Sequence, residues 1–417
     1  MKRSGINTAH IKSTVRPQDD LYRHMNGAWI DSAEIPADRS SDGAFYRLYE
    51  SAEKQVREII EELGAKEHPQ GTIAQKIGDL YKSFMNEDRA NQLGISPIAT
   101  DLNRALSVST HAEFHEVLGD LERRGLGGLF YESVTGDKMD SKTNITYIGQ
   151  SGLSLPDESY YREDEYREIR DGLLEHIEKM FTIAGIPGGA DKAKLILALE
   201  TEIASHHWDQ VRDRDAELTY NKMSYAELKS ISDGFDWDRW MEHSKTPAKV
   251  LENCVVSEPS FFTGISEMLK NFDAPAWSAW LGWHVLSGAA SYLHDELVNE
   301  NFRFYGTVLS GTPELKARWK RGVGLVEGSL GEAIGQIYVE RHFPPAAKAR
   351  MEELVANLIE AYRVDIAALD WMTNETKEKA LEKLGKFRPK IGYPNKWRDY
   401  SALEISATDL MGNIERV

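Results

Sequence analysis

Residues Phe304–Pro345 read FYGTVLSGTPELKARWKRGVGLVEGSLGEAIGQIYVERHFPP. The first ten, Phe304–Pro313, are rich in Gly, Ser, Thr and Pro and read as a turn region. A helical pattern then runs from about Glu314 to Phe343, and Pro313 suits a helix start, where its missing N–H costs little. Trp319, Val323, Val326 and Leu330 recur every three or four residues, as one buried helix face requires. Gly322, Gly324, Gly328, Gly331 and Gly335 run through the same helix. Each costs about 1 kcal/mol relative to Ala, so five call for a packing reason: another backbone coming close. On pattern alone this is a tightly packed core helix.

The chain on either side is also mostly helical by period. Downstream, Met351, Leu354, Val355, Leu358, Ile359 and Tyr362 share one helix face, and Thr376–Leu384 is a shorter helix. Ser406 is a candidate cap for a last helix carrying Leu410, Met411 and Ile414, which Val417 cuts without a stop signal. Upstream, Trp277, Trp280, Trp283 and Leu286 form an aromatic stripe of the core kind. Amphipathic helices are expected over 44–63, 72–85, 101–106, 110–125, 166–185 and 191–208, with a short one at 223–228. Residues 1–43 read as an extended leader with a short helix within 19–29. Gly127–Tyr147 breaks the theme: Leu129–Tyr131, Val134 and Ile145–Tyr147 flank a turn at Gly136-Asp137, a hairpin signal, and Val255-Val256 is a brief strand.

The 417 residues suffice for two or more domains, and 41% hydrophobic content suffices for a core. A formal charge of −17 disfavours nucleic acid and anionic membrane surfaces as partners. Cys254 is the one cysteine, so no intrachain disulfide forms. The basic start, MKRSGINTAHIKSTVRPQDD, has no apolar core region, and no run of about 18 apolar residues follows, so no membrane span is expected. Cytoplasm is the expected compartment, with leaderless export left open.

Three constellations invite a chemical reading. His111 and His115 share a helix face at i and i+4 but lack a third ligand, and Thr110 marks a capped helix start, so they read as surface histidines. His206 and His207 are adjacent and point about 100° apart. The charges Arg212–Asp215 read as ion pairs within a helical domain. Gly322, Gly324 and Gly328 lie inside a helix and fail the dinucleotide-loop pattern, and no GxSxG elbow occurs.

Five blocks carry a specific resemblance. They are Asn26–Trp29 with Ile35-Pro36; Gly152-Leu153 to Tyr160-Tyr161; Thr219–Met223; Tyr305–Thr307 with Arg318-Trp319, Arg321 and Ile334–Glu340; and Leu369–Met372 with Glu375–Lys377, Lys383-Leu384 and Ile391–Pro394. In this order they resemble the neprilysin and endothelin-converting-enzyme family of zinc metallopeptidases over nearly the whole chain, with the low cysteine count of a bacterial member. The resemblance implies a mainly α fold in two interleaved lobes, a helical cap and a thermolysin-like catalytic lobe, enclosing a chamber that admits peptides. It divides the chain into an N-terminal segment 1–43 wrapping the catalytic lobe, a helical cap lobe 44–254, a linking helical segment 255–345 and a further cap segment 346–417.

The family's zinc residues, an HExxH helix and a later ExxxD glutamate, lie beyond its IGYP run. Neither HExxH nor an Asn-Ala pair occurs here: His115-Glu116 is followed by Gly119 where the second His would stand. No catalytic or metal-binding residue is therefore assigned. The resemblance makes this an N-terminal portion of a zinc metalloendopeptidase that is inactive alone, with zinc held by a separate or missing C-terminal chain bearing HExxH, its partner in a heterodimer or nicked enzyme. The alternative is a non-catalytic peptide-binding subunit that retains the chamber. One substrate-binding candidate carries over, Phe45, the aromatic of a turn near the family's active-site cleft; its alternative is an ordinary first-turn core residue. Ser41 stands where some members have an arginine that grips a substrate carboxylate.

Overall fold

A computed structural model describes residues 6–417. Its principal helices are α1 (Leu21–Ser32), α2 (Ala44–Gly64), α3 (Ile73–Met85), α4 (His111–Arg123), α5 (Arg167–Ile183), α6 (Gly189–His206), α7 (Trp237–Ser244), α8 (Pro259–Lys270), α9 (Ala274–Ala289), α10 (Asp295–Phe302), α11 (Arg318–His342), α12 (Pro345–Ala368), α13 (Asn374–Gly385) and α14 (Leu410–Arg416). Side-chain caps start several of them. Asp20 accepts from Arg23 N–H, Thr72 from Gln75 N–H, and Thr110 makes a reciprocal box with Glu113. Among the described residues no helix is long and apolar enough to cross a membrane.

The expected hairpin is present as β1 (Phe130–Gly136) and β2 (Asn144–Gln150), antiparallel, with Ser133 opposite Tyr147. It extends to a four-stranded sheet in the order β1-β2-β4-β3, with β3 at Asn221–Ser224 and β4 at Asn253–Val256. β2 pairs parallel with β4, and its five residues Ile145–Gly149 are buried as befits a central strand. The stretch expected to be helical from Met223 is strand up to Ser224, whose side chain then caps a helix over Tyr225–Ile231.

Two large hydrophobic cores hold the molecule. The larger gathers α4 to α10 and the sheet around Trp277, Trp280 and Trp283 of α9, each at most 1% exposed. The smaller joins Val56, Ile59 and Ile60 of α2, Ile77 and Leu80 of α3, Val323, Val326 and Leu330 of α11, and Tyr400 and Ile405. Segments more than 300 residues apart thus share one core, so the lobes are interleaved in sequence. This packing divides the chain differently from a 44–254 lobe, because α2 and α3 belong with α11. Buried Lys76 ties the smaller core together, donating to the Tyr400 carbonyl at 2.5 Å and that of Ser401 at 3.2 Å.

The opening stretch departs from its reading in three ways. Arg303–Leu309 winds as a π-helix instead of a loop, anchored by fully buried Phe304. The helix begins at Arg318, four residues late, because the 314–317 backbone instead reaches Ala37, whose carbonyl accepts Glu314 N–H at 3.0 Å. Only one of the five glycines meets close packing: a Cβ at Gly322 would lie 2.8 Å from Tyr81, whereas Gly324, Gly328 and Gly331 face open space. Gly335 has only Trp397, at 3.8 Å. At the far end α14 is capped by Asp409, which accepts Gly412 N–H, and not by Ser406, whose hydroxyl serves a tighter turn to Thr408 N–H.

Candidate functional site

The side of the smaller lobe that carries Phe45 is built by α2. Gly43 precedes the helix in an extended conformation, and Phe45, Leu48 and Tyr49 are 86%, 67% and 51% exposed. The helix enters the core only from Val56 onward, so Phe45 is no first-turn core residue. Glu53 marks the border. It is 6% exposed, and burial pushes its carboxyl above the usual range. Glu327 of α11 is raised likewise, by burial and then by the charge of Glu53. Lys320 pairs with Asp38 and pins the segment before α2 onto α11.

The outward face of α11 and all of α12 continue this uncovered character. α12 has no buried residue in 24, and Leu354, Leu358 and Tyr362 are 48%, 51% and 61% exposed. A cavity of about 670 Å³ lies between α12 and Ile391–Asn395. Lys348 donates to the Tyr393 carbonyl at 3.2 Å and sits 4.1 Å over its ring, while Tyr393 stacks on Trp397. Gly392 has φ +73° and a Cβ there would lie 2.7 Å from Phe343, so the turn admits glycine alone.

The histidine pair is not a surface pair: His115 is buried and His111 half-buried. His115 is fully buried, its Nδ1–H donates to the His111 carbonyl at 2.7 Å, and its Nε2 accepts Asp236 N–H at 3.1 Å. Burial lowers its pKa to about 4. His111 directs Nε2 to the Gly234 carbonyl at 2.8 Å. With these nitrogens committed the pair does not fit a zinc ion. Among the described residues no three His, Cys, Asp or Glu side chains stand close enough to hold a metal.

Among the described residues, Arg212–Asp215 make no ion pairs either. Arg212 stacks 3.6 Å over Trp208, Asp215 caps the turn at Glu217 and Leu218, and Asp213 faces another acid, Glu258. Two buried carboxyls escaped the sequence reading. Fully buried Glu200 accepts from the Tyr161 hydroxyl at 2.5 Å and from Ser154 Oγ at 2.7 Å, which in turn receives Trp283 Nε1–H at 2.7 Å. Thus the Gly152–Tyr161 block and the tryptophan stripe meet at one carboxylate. The available signal was a glutamate on the Ile196–Ile203 apolar face. Glu258, just before a helix-starting proline, had none.

These features define a class: a large helical scaffold with one well-filled lobe, one lobe assembled from distant segments, and an uncovered apolar side. The chain belongs to peptidase family M13, whose profile matches residues 17–394. It is 28% identical over 397 residues to the neutral endopeptidase of Lactobacillus helveticus, covering 94% of this chain and 61% of that protein. It is 26% identical over 400 residues to human endothelin-converting enzyme 1, covering 92% and 51%. The crystal structure of Mycobacterium tuberculosis zinc metalloprotease Zmp1 with an inhibitor superposes with a TM-score of 0.95 at 42% identity, over 99% of this chain and 63% of that one. The same enzyme in its open state gives 0.83 at 43% identity over 96% and 63%, so arrangement of parts and not sequence separates the two matches. The chain spans between about half and just under two thirds of the length of these relatives.

Proposed function

We propose that these 417 residues form the substrate-enclosing portion of a zinc-dependent metalloendopeptidase, with the zinc-binding residues carried on further or separate sequence. The observation that carries this reading is the 0.95 superposition at 42% identity onto 63% of a zinc metalloprotease, together with the lack of an HExxH in this sequence. The bare face of α12 and the exposed start of α2 support it: uncovered apolar helix faces of this extent mark a surface that another segment covers. The two lobes bound a chamber that limits access to peptides, and Phe45 lines its substrate side. A zinc ion would be held by the HExxH segment and not by this chain, and would supply Lewis-acid polarisation of the scissile carbonyl and an activated water. This chain's own residues position the peptide and exclude solvent.

The test uses the chain as it stands. Purified with added zinc, it is expected to cleave no peptide. Mixed with a family chain bearing HExxH, it should form a stable pair over an obligate-sized interface, above about 2,000 Å², and recover chelator-sensitive cleavage. Peptide hydrolysis by the 417 residues alone would overturn the reading.

A further inference from the structure

A second site lies in the larger lobe. A cavity of about 290 Å³ is walled by Tyr131, Gln150, Asp157, Trp208, Asp213 and Glu258, where the sheet meets the one-turn helix Gln210–Asp213. Glu258 is 1% exposed. Its Oε2 accepts Gln150 N–H at 2.7 Å, while its Oε1 is sealed from solvent and meets no donor. Asp213, an acid on an exposed turn, lines the same cavity and interacts with Glu258. Two bare carboxylates in such contact repel, and a sealed anion without a donor is costlier still, so something positive belongs between them.

A calcium-like cation wants six to eight oxygens, and among the described residues no three acids gather at metal-holding distance. A larger ligand has no exposed Oε1 to touch. A proton fits. On Oε1 it turns the orphaned acceptor into a donor, with Asp213 an acceptor lining the same cavity.

We infer that Glu258 carries this proton and donates it to Asp213, making a pH-sensitive latch that holds the Gln210–Asp213 turn over the cavity. Burial first, and Asp213 second, raise the Glu258 pKa to about 8. The surrounding groups do not relieve it. From β1, Tyr131 is tied to Ser257 at 3.0 Å; across the cavity, Asp157 is occupied by Ser159 and Gln210, and Glu158 by Arg162. On the turn, Asp209 caps Val211 and Arg212, and the Arg212 cation lies on Trp208. His207 is held neutral by burial and gives its Nε2 to the Ser151 carbonyl.

The turn's other ties are at its surface: its helix contains no buried residue, and Gln210 to Asp157 and Arg212 over Trp208 are its contacts there. The sign follows from the raised acid: the closed state is favoured at low pH, and its advantage is lost as pH rises through about 8. Above that, two anions face each other, the turn lifts and the cavity opens.

The experiment is hydrogen exchange of residues 209–218 in the full chain from about pH 6 to about pH 9, corrected for intrinsic rates, alongside carbon-13 titration of the Glu258 carboxyl. Protection should fall several-fold near neutral-to-basic pH, with the carboxyl titrating in step. Glu258→Gln, whose amide donates to Asp213 without titrating, should keep the turn protected throughout. A Glu258 carboxyl that titrates in the ordinary range overturns the latch, whether or not the variant folds. So does a Glu258→Gln chain that opens with pH as the wild type does, or a midpoint that moves with millimolar calcium, which would put a cation in the proton's place.

Discussion

Helices α9 and α12 are both long and both rich in apolar residues, yet ten of the 16 residues of α9 are buried and none of the 24 of α12. α9 is apolar all round and sits at the centre of the larger core, its three tryptophans spread over Phe114, His176 and Gly152. α12 concentrates Leu354, Leu358 and Tyr362 on one side and presents that side to solvent. The contrast separates two meanings of an apolar helix face. One stabilises the fold of this chain; the other leaves apolar surface in solvent, as an interaction face does.

The largest effect that tests the contrast is truncation at each helix. Trp280→Ala should lower the stability of the chain by about 3–5 kcal/mol, because a fully buried ring leaves a cavity. Leu358→Ala should change it by less than about 0.5 kcal/mol in the chain alone and weaken capture of an HExxH-bearing partner instead. Denaturant melts and pull-down titrations read both. Equal destabilisation by the two substitutions would mean that the α12 face is already covered within the chain.

Two buried histidines of the larger lobe and two buried carboxyls of the smaller one should also answer acid in opposite directions. His115 and His207 of the larger lobe are pressed to about 4 by burial, below their ordinary 6.5. Their neutral-state contribution is full above pH 6.5 and is lost as pH falls toward 4, at up to about 3 kcal/mol each. Glu53 and Glu327 of the smaller lobe are shifted upward, so their contribution is full below the usual carboxylate range and is lost as pH rises. Hydrogen exchange between neutral and mildly acidic pH should therefore show α2 and α11 holding or gaining, while deprotection around His207 follows its own loss and in α4 the loss at His115 is opposed by Glu122, which burial raises to about 8. Parallel loss in both lobes would defeat this.

The glycines of α11 sharpen the comparison within a single helix. Gly322→Leu should cost about 1–3 kcal/mol, since Tyr81 and Phe84 occupy the space a side chain needs. Gly328→Ala should stabilise the chain by up to about 1 kcal/mol, because it meets nothing and gains helix propensity. Thermal melts of the two variants should move in opposite directions.

What the sequence made legible follows the same division. Helix positions, the hairpin and the tryptophan stripe could be read because local period and turn chemistry set them. The five α11 glycines could not be ranked, because period tells which residues share a face and not what stands opposite. His115 was misplaced for a related reason: a good N-cap at Thr110 marks a helix start, yet α7 packs over that start, and Arg239 on it reaches Glu116 at 2.6 Å. Arg212–Asp215 look like ion pairs by charge alternation, but Trp208 supplies a ring that competes for the guanidinium. Glu258 depends on a partner 45 positions away, Asp213, and on the main chain of Gln150, contacts that no local pattern records.

The smallest expected effect on the chain itself belongs to Phe45. At 86% exposure its ring contributes little to folding, and Phe45→Ala should leave the melt within about 0.5 kcal/mol. Its cost, if it contacts substrate, lies elsewhere. An exposed phenyl group on a helix start is apolar area that a bound peptide would remove from water, at roughly 25 cal/mol per Å². Its loss should then raise KM in the assembled peptidase and leave kcat close to unchanged, because binding shared equally by substrate and transition state does not accelerate the chemical step. Gln55, three turns into the same helix and bonded to Tyr338 at 3.0 Å, provides the internal control: Gln55→Ala removes a contact within the lobe and should move the melt but not KM. A Phe45→Ala assembly with unaltered KM would take Phe45 out of the substrate site and leave it as part of the surface that the catalytic segment covers.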